Sequence, residues 1–472
     1  MLNPASTTTR VIIIGGGASG VLLAAHLLRS RRGPLLVTLV EQHPDLGAGV
    51  AYSTKHPDHL LNVRAANMSA FPDDVEHFAR WLREHAQWSE RDVSHPSCFA
   101  PRYLYRDYLA SLLAPHFAEG RLRRIRAEAV AIEECGPDVR VVFGNGTGRS
   151  ADHVVLATGN EGPSLAAAPW RYDGWRSAQL PPIAADAPVA MVGTGLTMAD
   201  WVLTLLHGGH RGTITAISRH GLMPMEHQAA APMVIDAFDV PFGASLVQII
   251  RWLRGQVRNL EAKGGNWRSV IDALRPHTQR LWQEFSPDDR RRFLRHARAW
   301  WDQHRHRIAP DAADHIRTAY ARGQLRVIAG QVIRFEDRAP GVDVLISHRG
   351  TPLRERLYAE AVFECRGRAT DVTRSENPIV QSLLRSGRAR PDLLRLGLDV
   401  SQDCEIIDAG GRVHPRLYAV GPVTSGVFWE ITAVPDIRVQ VARLAGKLKS
   451  SNGNRSELDG TIGYQRRKIA YN

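Results

Sequence analysis

The chain has 472 residues, is 44% hydrophobic and 23% charged, and carries a formal net charge of +12. That balance fits a folded protein of two or three domains and excludes a disordered or collagenous chain. The excess charge is almost all arginine spread along the sequence, with no lysine-rich tail and no RNP or zinc-finger pattern, so it points to bound phosphate groups rather than a nucleic-acid partner.

The first nine residues are polar and predicted to be irregular. Val11–Ile14 then reads as a buried strand of β-branched residues. Gly15, Gly17 and Gly20 complete G-x-G-x-x-G, and Val21–Leu28 continues as an apolar helix. In such a turn the first glycine permits the bend, the second lets backbone approach a pyrophosphate, and the third lets helix and strand pack closely. The helix start adds partial positive charge for the phosphates. A second strand, Leu35–Val40, runs into Glu41, whose carboxylate is placed to accept a hydrogen bond from a ribose hydroxyl.

Farther along, Val189–Val192 repeats the pattern, breaking at Gly193 and Gly195 into a helix through Trp201 and Leu206. The third glycine is absent; Met198 stands in its place. The following strand, Thr213–Ile217, leads to Ser218, Arg219 and His220, and Arg219 lies at the same offset from Gly193 as Glu41 does from Gly15. An acid there selects a free ribose diol, whereas an arginine accommodates a 2′-phosphate. The first turn is therefore expected to hold FAD and the second NADPH in preference to NADH, unless Arg219 is a solvated loop residue. A further echo links Ala151–Gly159 (ADHVVLATG) with Ala359–Gly367 (AEAVFECRG): each is an apolar strand closed by a glycine, expected to return to its sheet beside a bound nucleotide. In the first of these, Thr158 and Gly159 face the expected FAD site.

Between about 222 and 322 the sequence is rich in arginine and helix formers, with Leu246, Ile249, Ile250 and Leu253 at helical spacing. An all-helical insert there would cap the flavin pocket or mediate dimerisation. His304 and His306, with Trp300 and Trp301 close by, read either as a contact for an anionic substrate group or as a basic helix end favoured by the macrodipole. No metal site is expected. The four cysteines are far apart, without a CxxC pair, which disfavours a redox disulfide or a structural zinc and fits a reducing compartment. No apolar run reaches membrane-spanning length and no signal peptide is read, so a cytoplasmic protein without a membrane partner is expected. After about Ser450 the chain turns polar and a disordered tail is predicted over 449–472.

The chain resembles the two-dinucleotide-binding flavoproteins, and most closely a bacterial FAD/NAD(P)-binding protein family, the YdhS-like group. The resemblance is carried by GGGASG (Gly15–Gly20), GAGVAYS (Gly47–Ser53), HLLNVRAANMSAFPDD (His59–Asp74), PRYLYRDYL (Pro101–Leu109), LATGN (Leu156–Asn160), GTGLTMAD (Gly193–Asp200) and SRHGLMP (Ser218–Pro224), with WRSVIDALRP and HRHRIAP in the insert. More distantly, the order of parts is similar to flavin-dependent N-hydroxylating monooxygenases. In those enzymes NADPH reduces FAD, oxygen adds to the flavin as a C4a-hydroperoxide, and an amine takes the distal oxygen. The resemblance implies that Asn62 and Met68 lie beside the isoalloxazine, that Arg102 binds a phosphate or a substrate carboxylate, and that Gly421 and Trp429 sit near the flavin. A loop-capping role for Asn62 and a surface ion pair for Arg102 are the competing readings.

The expected fold is α/β: two Rossmann-like dinucleotide-binding domains with a helical insertion. The FAD domain is expected over 10–180 and 355–448, and the NAD(P)H domain over 181–354. Expected FAD contacts are Gly15, Gly17, Ser19, Gly20, Glu41, Asn62, Met68, Arg102, Thr158, Gly159 and Gly421. Expected NADPH contacts are Gly193, Gly195, Thr197, Ser218 and Arg219, and substrate contacts His304, His306 and Trp429. No catalytic side chain is assigned, because the flavin carries the chemistry. The leading expectation is an NADPH-consuming FAD monooxygenase acting on a small polar molecule, with oxygen as co-substrate and homo-oligomerisation left open. The alternatives are a flavin oxidoreductase with another acceptor and a non-catalytic FAD/NAD(P)-binding protein.

Overall fold

The structure, a computed structural model, describes residues 8–29, 34–85, 87, 91–136, 138–175 and 182–450. The predicted tail therefore lies outside the described residues from 451 onward, whereas Lys449 and Ser450 end a helix running from 434. Strand β1 starts at Thr9, inside the stretch expected to be irregular.

In chain order the strands are β1 (Thr9–Ile14), β2 (Leu35–Val40), β3 (Leu122–Ile125), β4 (Ala129–Cys135), β5 (Asp138–Phe143), β6 (Gly148–Ala151), β7 (His153–Leu156) and β8 (Arg171–Asp173). They continue as β9 (Val189–Val192), β10 (Ile214–Ser218), β11 (Leu325–Arg338), β12 (Gly341–His348), β13 (Arg354–Ala359), β14 (Ala361–Glu364), β15 (Glu405–Ile407) and β16 (Val413–Ala419). One sheet has the order β15-β16-β7-β1-β2-β3, the second β13-β12-β11-β10-β9-β14-β8, and β4-β5-β6 form a small antiparallel sheet.

The two large sheets repeat one plan. In each, the strand before the glycine turn (β1 or β9) is central, parallel on one side to the next strand and on the other to the returning strand β7 or β14. In each, an antiparallel excursion separates the third strand from the returning one. Parallel strands covered on both faces must be apolar throughout, and Val11, Ile12, Ile13, Val154 and Val155 are buried in one sheet as Val189, Met191, Ile214 and Phe363 are in the other.

This pairing moves two expected boundaries. Strand β14 lies at 361–364 and pairs with β9 and β8, so the second unit extends past 355 and takes β8 from before 181. The helical insert also ends sooner than 322: helix Pro310–Ala321 packs its Ala313, Ile316 and Ala319 into the core of the second unit and is its own crossover helix. What remains of the insert holds helices Leu246–Glu261, Trp267–Leu274, Thr278–Glu284, Pro287–Arg292 and Arg298–Arg305. Its starts are specified locally: Ser245 and Gln248 form a capping box, and the Asn266 side chain accepts the Arg268 N–H. The insert leaves the second unit and docks on the first, where Trp282 donates to the Gly426 carbonyl (2.8 Å) and Arg275 pairs with Asp436 (2.8 Å).

Candidate functional site

At the end of β1 the chain turns at Gly15 with φ +109°, where a side-chain Cβ would stand 2.3 Å from the Ala157 carbonyl oxygen. At the end of β9 it turns at Gly193 with φ +116°, where a Cβ would stand 2.4 Å from the Cys365 carbonyl oxygen. Both conditions exclude an L side chain. The backbone frame agrees as well. The Gly15 N–H donates to Val40 (2.9 Å) and Gly193 to Ile217 (2.8 Å), while Ala157 donates to Ile14 and Cys365 to Val192 (2.8 Å each).

Helices Ala18–Leu28 and Leu196–His207 follow. Gly17 and Gly195 occupy their N-cap positions in extended conformation, with no side-chain cap and no acid in either first turn. The first-turn N–H groups of both helices are left for an external anion. Gly17 faces Gly49 (φ +47°), with a Cβ on either placed about 3.4–3.5 Å from the other's Cα. At the third glycine position the turns part company. A Cβ on Gly20 would meet the Gly15 oxygen at 1.9 Å, whereas Met198 is accommodated and fully buried.

The polar groups differ more. Glu41 turns back onto its glycine turn: one carboxylate oxygen accepts the Gly16 N–H (2.7 Å) and the other the His43 N–H (2.8 Å). This fixes the carboxylate at the turn's edge with lone pairs to spare for hydroxyl donors. In the second unit the Ser218 hydroxyl bonds the Thr194 hydroxyl (2.8 Å) and accepts the Gly221 N–H (3.1 Å), fixing the bend after β10. From that bend Arg219 projects, exposed and without an anionic partner among the described residues. Arg349, on the β12–β13 hairpin, reaches over to donate to the His220 ring and enlarges the basic corner. Sequence reading has no signal for Arg349, because a hairpin brings it there from well over a hundred residues away.

Gly421 (φ +72°) brings the segment after β16 against the first helix, where a Cβ would stand 2.3 Å from the Ser19 hydroxyl. Ser19 and Gly421 are thus adjacent. Thr158 and Gly159 (φ +76°) follow β7 next to Asn160, whose buried side-chain oxygen has no hydrogen-bond partner. Thr197 lies in the first turn of its helix against Gly174. Met68 is buried in the first unit's core, and Asn62 presents its carbonyl to the His227 ring N–H (3.0 Å).

Arg102 makes an ion pair, as the competing reading had it, though at a seam between the units rather than on an open surface. Its guanidinium makes a bidentate pair with Asp200 (2.7 and 3.1 Å), and its Nε–H donates to the Leu60 carbonyl (3.0 Å). Three of its donor groups are thereby committed across the seam between the units. His59 adds a second tie, bonding Thr54 through Nδ1 and the Asp200 carbonyl and Thr204 hydroxyl through Nε2. Beside it, ligand atoms of His56, Asp58 and His207 lie within 4.8 Å of one another, with Arg91 already paired to Asp58.

The expected substrate cluster comes apart. Arg305 turns inward to Glu430 (3.2 Å), and Arg307 pairs with Asp272. His306 sits 3.7 Å from Asp302 and 3.9 Å from Glu430, with its pKa lowered chiefly by burial. His304 stays with the Trp300 carbonyl (2.7 Å), and Trp429 is buried in a stack on Trp282. His304 and Trp429 border the same cavity; His306 does not. Glu430, which also accepts from the Trp301 indole, holds a left-handed φ of +62°, a strained setting fixed by these partners.

Residues 12–161 match the FAD-NAD(P)-binding family model. The L-aspartate N-monooxygenase (nitrosuccinate-forming) of Streptomyces cremeus is 34% identical over 95 residues, 18% of this chain and 14% of that protein, so the chain spans about one seventh of the curated relative it matches. Among solved structures, the ornithine hydroxylase of Pseudomonas aeruginosa superposes with a TM-score of 0.66 at 16% identity, covering 94% of this chain and 99% of that one. The L-lysine 6-monooxygenase of Pseudomonas syringae gives 0.65 at 16% identity over 93% and 99%. The ornithine N-hydroxylase of Kutzneria sp. 744, described with reduced FAD, NADP⁺ and L-ornithine, gives 0.64 at 14% identity over 94% and 100%. Residues 12–161 are thus similar to an FAD-NAD(P)-binding domain, and the chain as a whole shares the fold of these hydroxylases and monooxygenases.

Proposed function

We propose that the protein is an FAD-dependent, NADPH-consuming monooxygenase that hydroxylates the amine nitrogen of a small polar substrate such as an amino acid. The observation that carries this reading is the pair of glycine turns, alike in backbone and opposite in the charge that follows them. Gly15, Gly17, Ser19 and Gly20 cradle the FAD pyrophosphate, and Glu41 accepts from its ribose. Gly193, Gly195 and Thr197 cradle that of NADPH, with Arg219 and Arg349 toward the 2′-phosphate. The uncapped helix starts and the partnerless Asn160 oxygen fit such ligands. When bound, NADPH supplies hydride and the flavin supplies reducing equivalents for activating dioxygen. The chain's own contribution is to hold the two nucleotides in one frame through Arg102, Asp200 and His59, and to close the flavin site with the insert docked on Gly426 and Asp436.

The likeness to ornithine, lysine and aspartate hydroxylases supports an amine substrate. Thiol–disulfide reduction finds no support: the four cysteines are free, and burial raises the thiol pKa of Cys365 and, to about 12, that of Cys404. The test is to mix the yellow holoprotein anaerobically with NADPH and then admit oxygen with ornithine, lysine or aspartate present. Flavin bleaching followed by substrate-dependent oxygen uptake and a hydroxylamine product is expected. Bleaching with no oxygen incorporated into any amine would transfer the assignment to a flavin reductase, and no bleaching would leave a nucleotide-binding protein.

A further inference from the structure

The insert forms a cleft, open to solvent along one side, with a volume of about 1420 Å³. That exceeds the roughly 300–1,000 Å³ of ordinary small-ligand pockets. It is lined by the Leu246–Glu261 helix, by Phe293 and Trp300, and by Trp429 of the first unit. Of the apolar residues on the Leu246 helix only Leu246 and Ile249 are buried; Ile250, Leu253 and Val257 remain half-covered and Val247 exposed. Apolar side chains left partly uncovered in this way forgo contacts that an apolar occupant would restore. The lining includes part of a π-helical turn, Phe293–Ala297, a widening of the helix frequent at functional sites.

Charge specifies the occupant further. Arg251, Arg254 and Arg258 follow one another along the Leu246 helix at the cavity's edge, exposed and without a carboxylate partner among the described residues. Most other arginines of the insert are paired, Arg268 with the Glu226 carbonyl, Arg305 with Glu430 and Arg307 with Asp272, whereas Arg295 is exposed. Arg292, also in the lining, has Asp289 only at 3.9 Å, and Glu261 is the single acid among the lining residues.

We propose that this cavity binds a long acyl chain ending in an acid group, with the chain between the apolar walls and the acid on the row formed by Arg251, Arg254 and Arg258. The site is separate from the nucleotide turns and stands whether or not the amine-hydroxylation reading holds.

Five tryptophans line the cavity (Trp267, Trp282, Trp300, Trp301 and Trp429), so the test is energy transfer to cis-parinarate added to the FAD-loaded protein. Saturable transfer at one probe per chain is expected, displaced by monomeric hexadecanoate and roughly tenfold less readily by hexadecanol. The double variant Arg251→Glu/Arg254→Glu should weaken hexadecanoate roughly tenfold or more and leave hexadecanol unchanged. Leu253→Glu, which places a charge on the apolar lining, should weaken both roughly tenfold or more, with flavin absorbance and melting temperature showing that each variant is folded. Absence of saturable transfer, or transfer indifferent to Leu253→Glu, would overturn the site. Equal loss of acid and alcohol in the charge variant would overturn the role of the arginines. Binding to phosphatidylglycerol vesicles without binding of monomeric hexadecanoate would replace the acyl-chain site with a membrane-docking face.

Discussion

The two halves of the molecule turn their chains in the same way and then treat the turn differently. At Gly15 and Gly193 the φ values, the opposing carbonyl and the hydrogen-bond frame agree closely. Beyond that the first turn is closed on itself, with Gly20 pressed on the Gly15 oxygen and Glu41 hydrogen-bonded to Gly16. The second is looser, with Met198 in place of the third glycine and Arg219 free in solvent. Under the proposed function the shared backbone would take a pyrophosphate at each turn, and the differing side chains would set which nucleotide stays and which one visits. A preorganised, self-bonded turn suits a tightly held group; an exposed cation suits a ligand that must leave after each turnover.

The strongest way to break this comparison is to spoil each turn separately. Gly15→Ala forces both a left-handed φ and a carbonyl contact, a cost of about 3 kcal/mol or more. It should yield protein without flavin, measured by absorbance after gel filtration. Gly193→Ala incurs the same local penalty but should leave the protein yellow while abolishing reduction by NADPH. If Gly193→Ala loses flavin and Gly15→Ala does not, the assignment of ligands to turns is reversed.

Next in size is the nucleotide preference. Arg219→Ala removes a charged contact worth about 1.5–3 kcal/mol, so KM for NADPH should rise roughly ten- to a hundredfold while KM for NADH changes little. Arg349→Ala should act in the same direction and more weakly, since Arg349 is partly occupied with His220. Equal losses for both nucleotides would mean that the basic corner does not meet a 2′-phosphate.

Acid should sharpen the comparison by loosening the two halves from each other. His227, in the second unit's connection, donates to Asn62 of the first, and burial with the nearby Arg307 charge depresses its pKa to about 4. His56, at the same seam, is likewise pushed down to about 4, mainly by burial. A histidine whose folded pKa lies below its unfolded value of about 6.5 leaves the unfolded state binding more protons in between. Stability should therefore be full above about pH 6.5 and fall as pH drops toward about 4, with slope up to about 1.4 kcal/mol per pH unit for a fully titrating group. His227→Gln keeps a donor and removes the proton site; its melting temperature should fall less between pH 7 and 5 than that of the parent.

What could be read in advance follows the range of the interactions. Both glycine turns are written in contiguous residues, and equal loop lengths keep Glu41 and Arg219 in register, so strand, turn, helix and charge are legible together. The assignment of β14 to the second sheet is not, because its neighbours β8 and β9 lie far away in sequence. The abundance of helix formers up to about 322 likewise points to helices but not to Ile316 of Pro310–Ala321 packing in the second core. The sequence HRHR gathers two arginines and two histidines within four residues, yet helix geometry sends Arg305 to Glu430 and leaves His304 against Trp267. The Trp282–Trp429 stack depends on docking of the insert, which local pattern does not encode.

The smallest predicted effect tests the seam directly. Arg102 and Asp200 have side-chain exposures of 19% and 21%, and their pairing is bidentate. For a pair this accessible to solvent a double-mutant cycle between Arg102→Gln and Asp200→Asn should return a coupling near 1 kcal/mol, at the upper end for exposed pairs. Each single variant should keep its FAD, because neither residue belongs to the first glycine turn. Asp200 lies on the helix that starts at the second turn, so weakening the pair should slow flavin reduction by bound NADPH without altering NADPH affinity. Stopped-flow reduction at saturating and subsaturating NADPH separates these quantities. A change in affinity produced by Arg102→Gln but not by Asp200→Asn would show that Arg102 meets a phosphate after all, as its resemblance-based assignment implies, and that the pair breaks when nucleotide arrives.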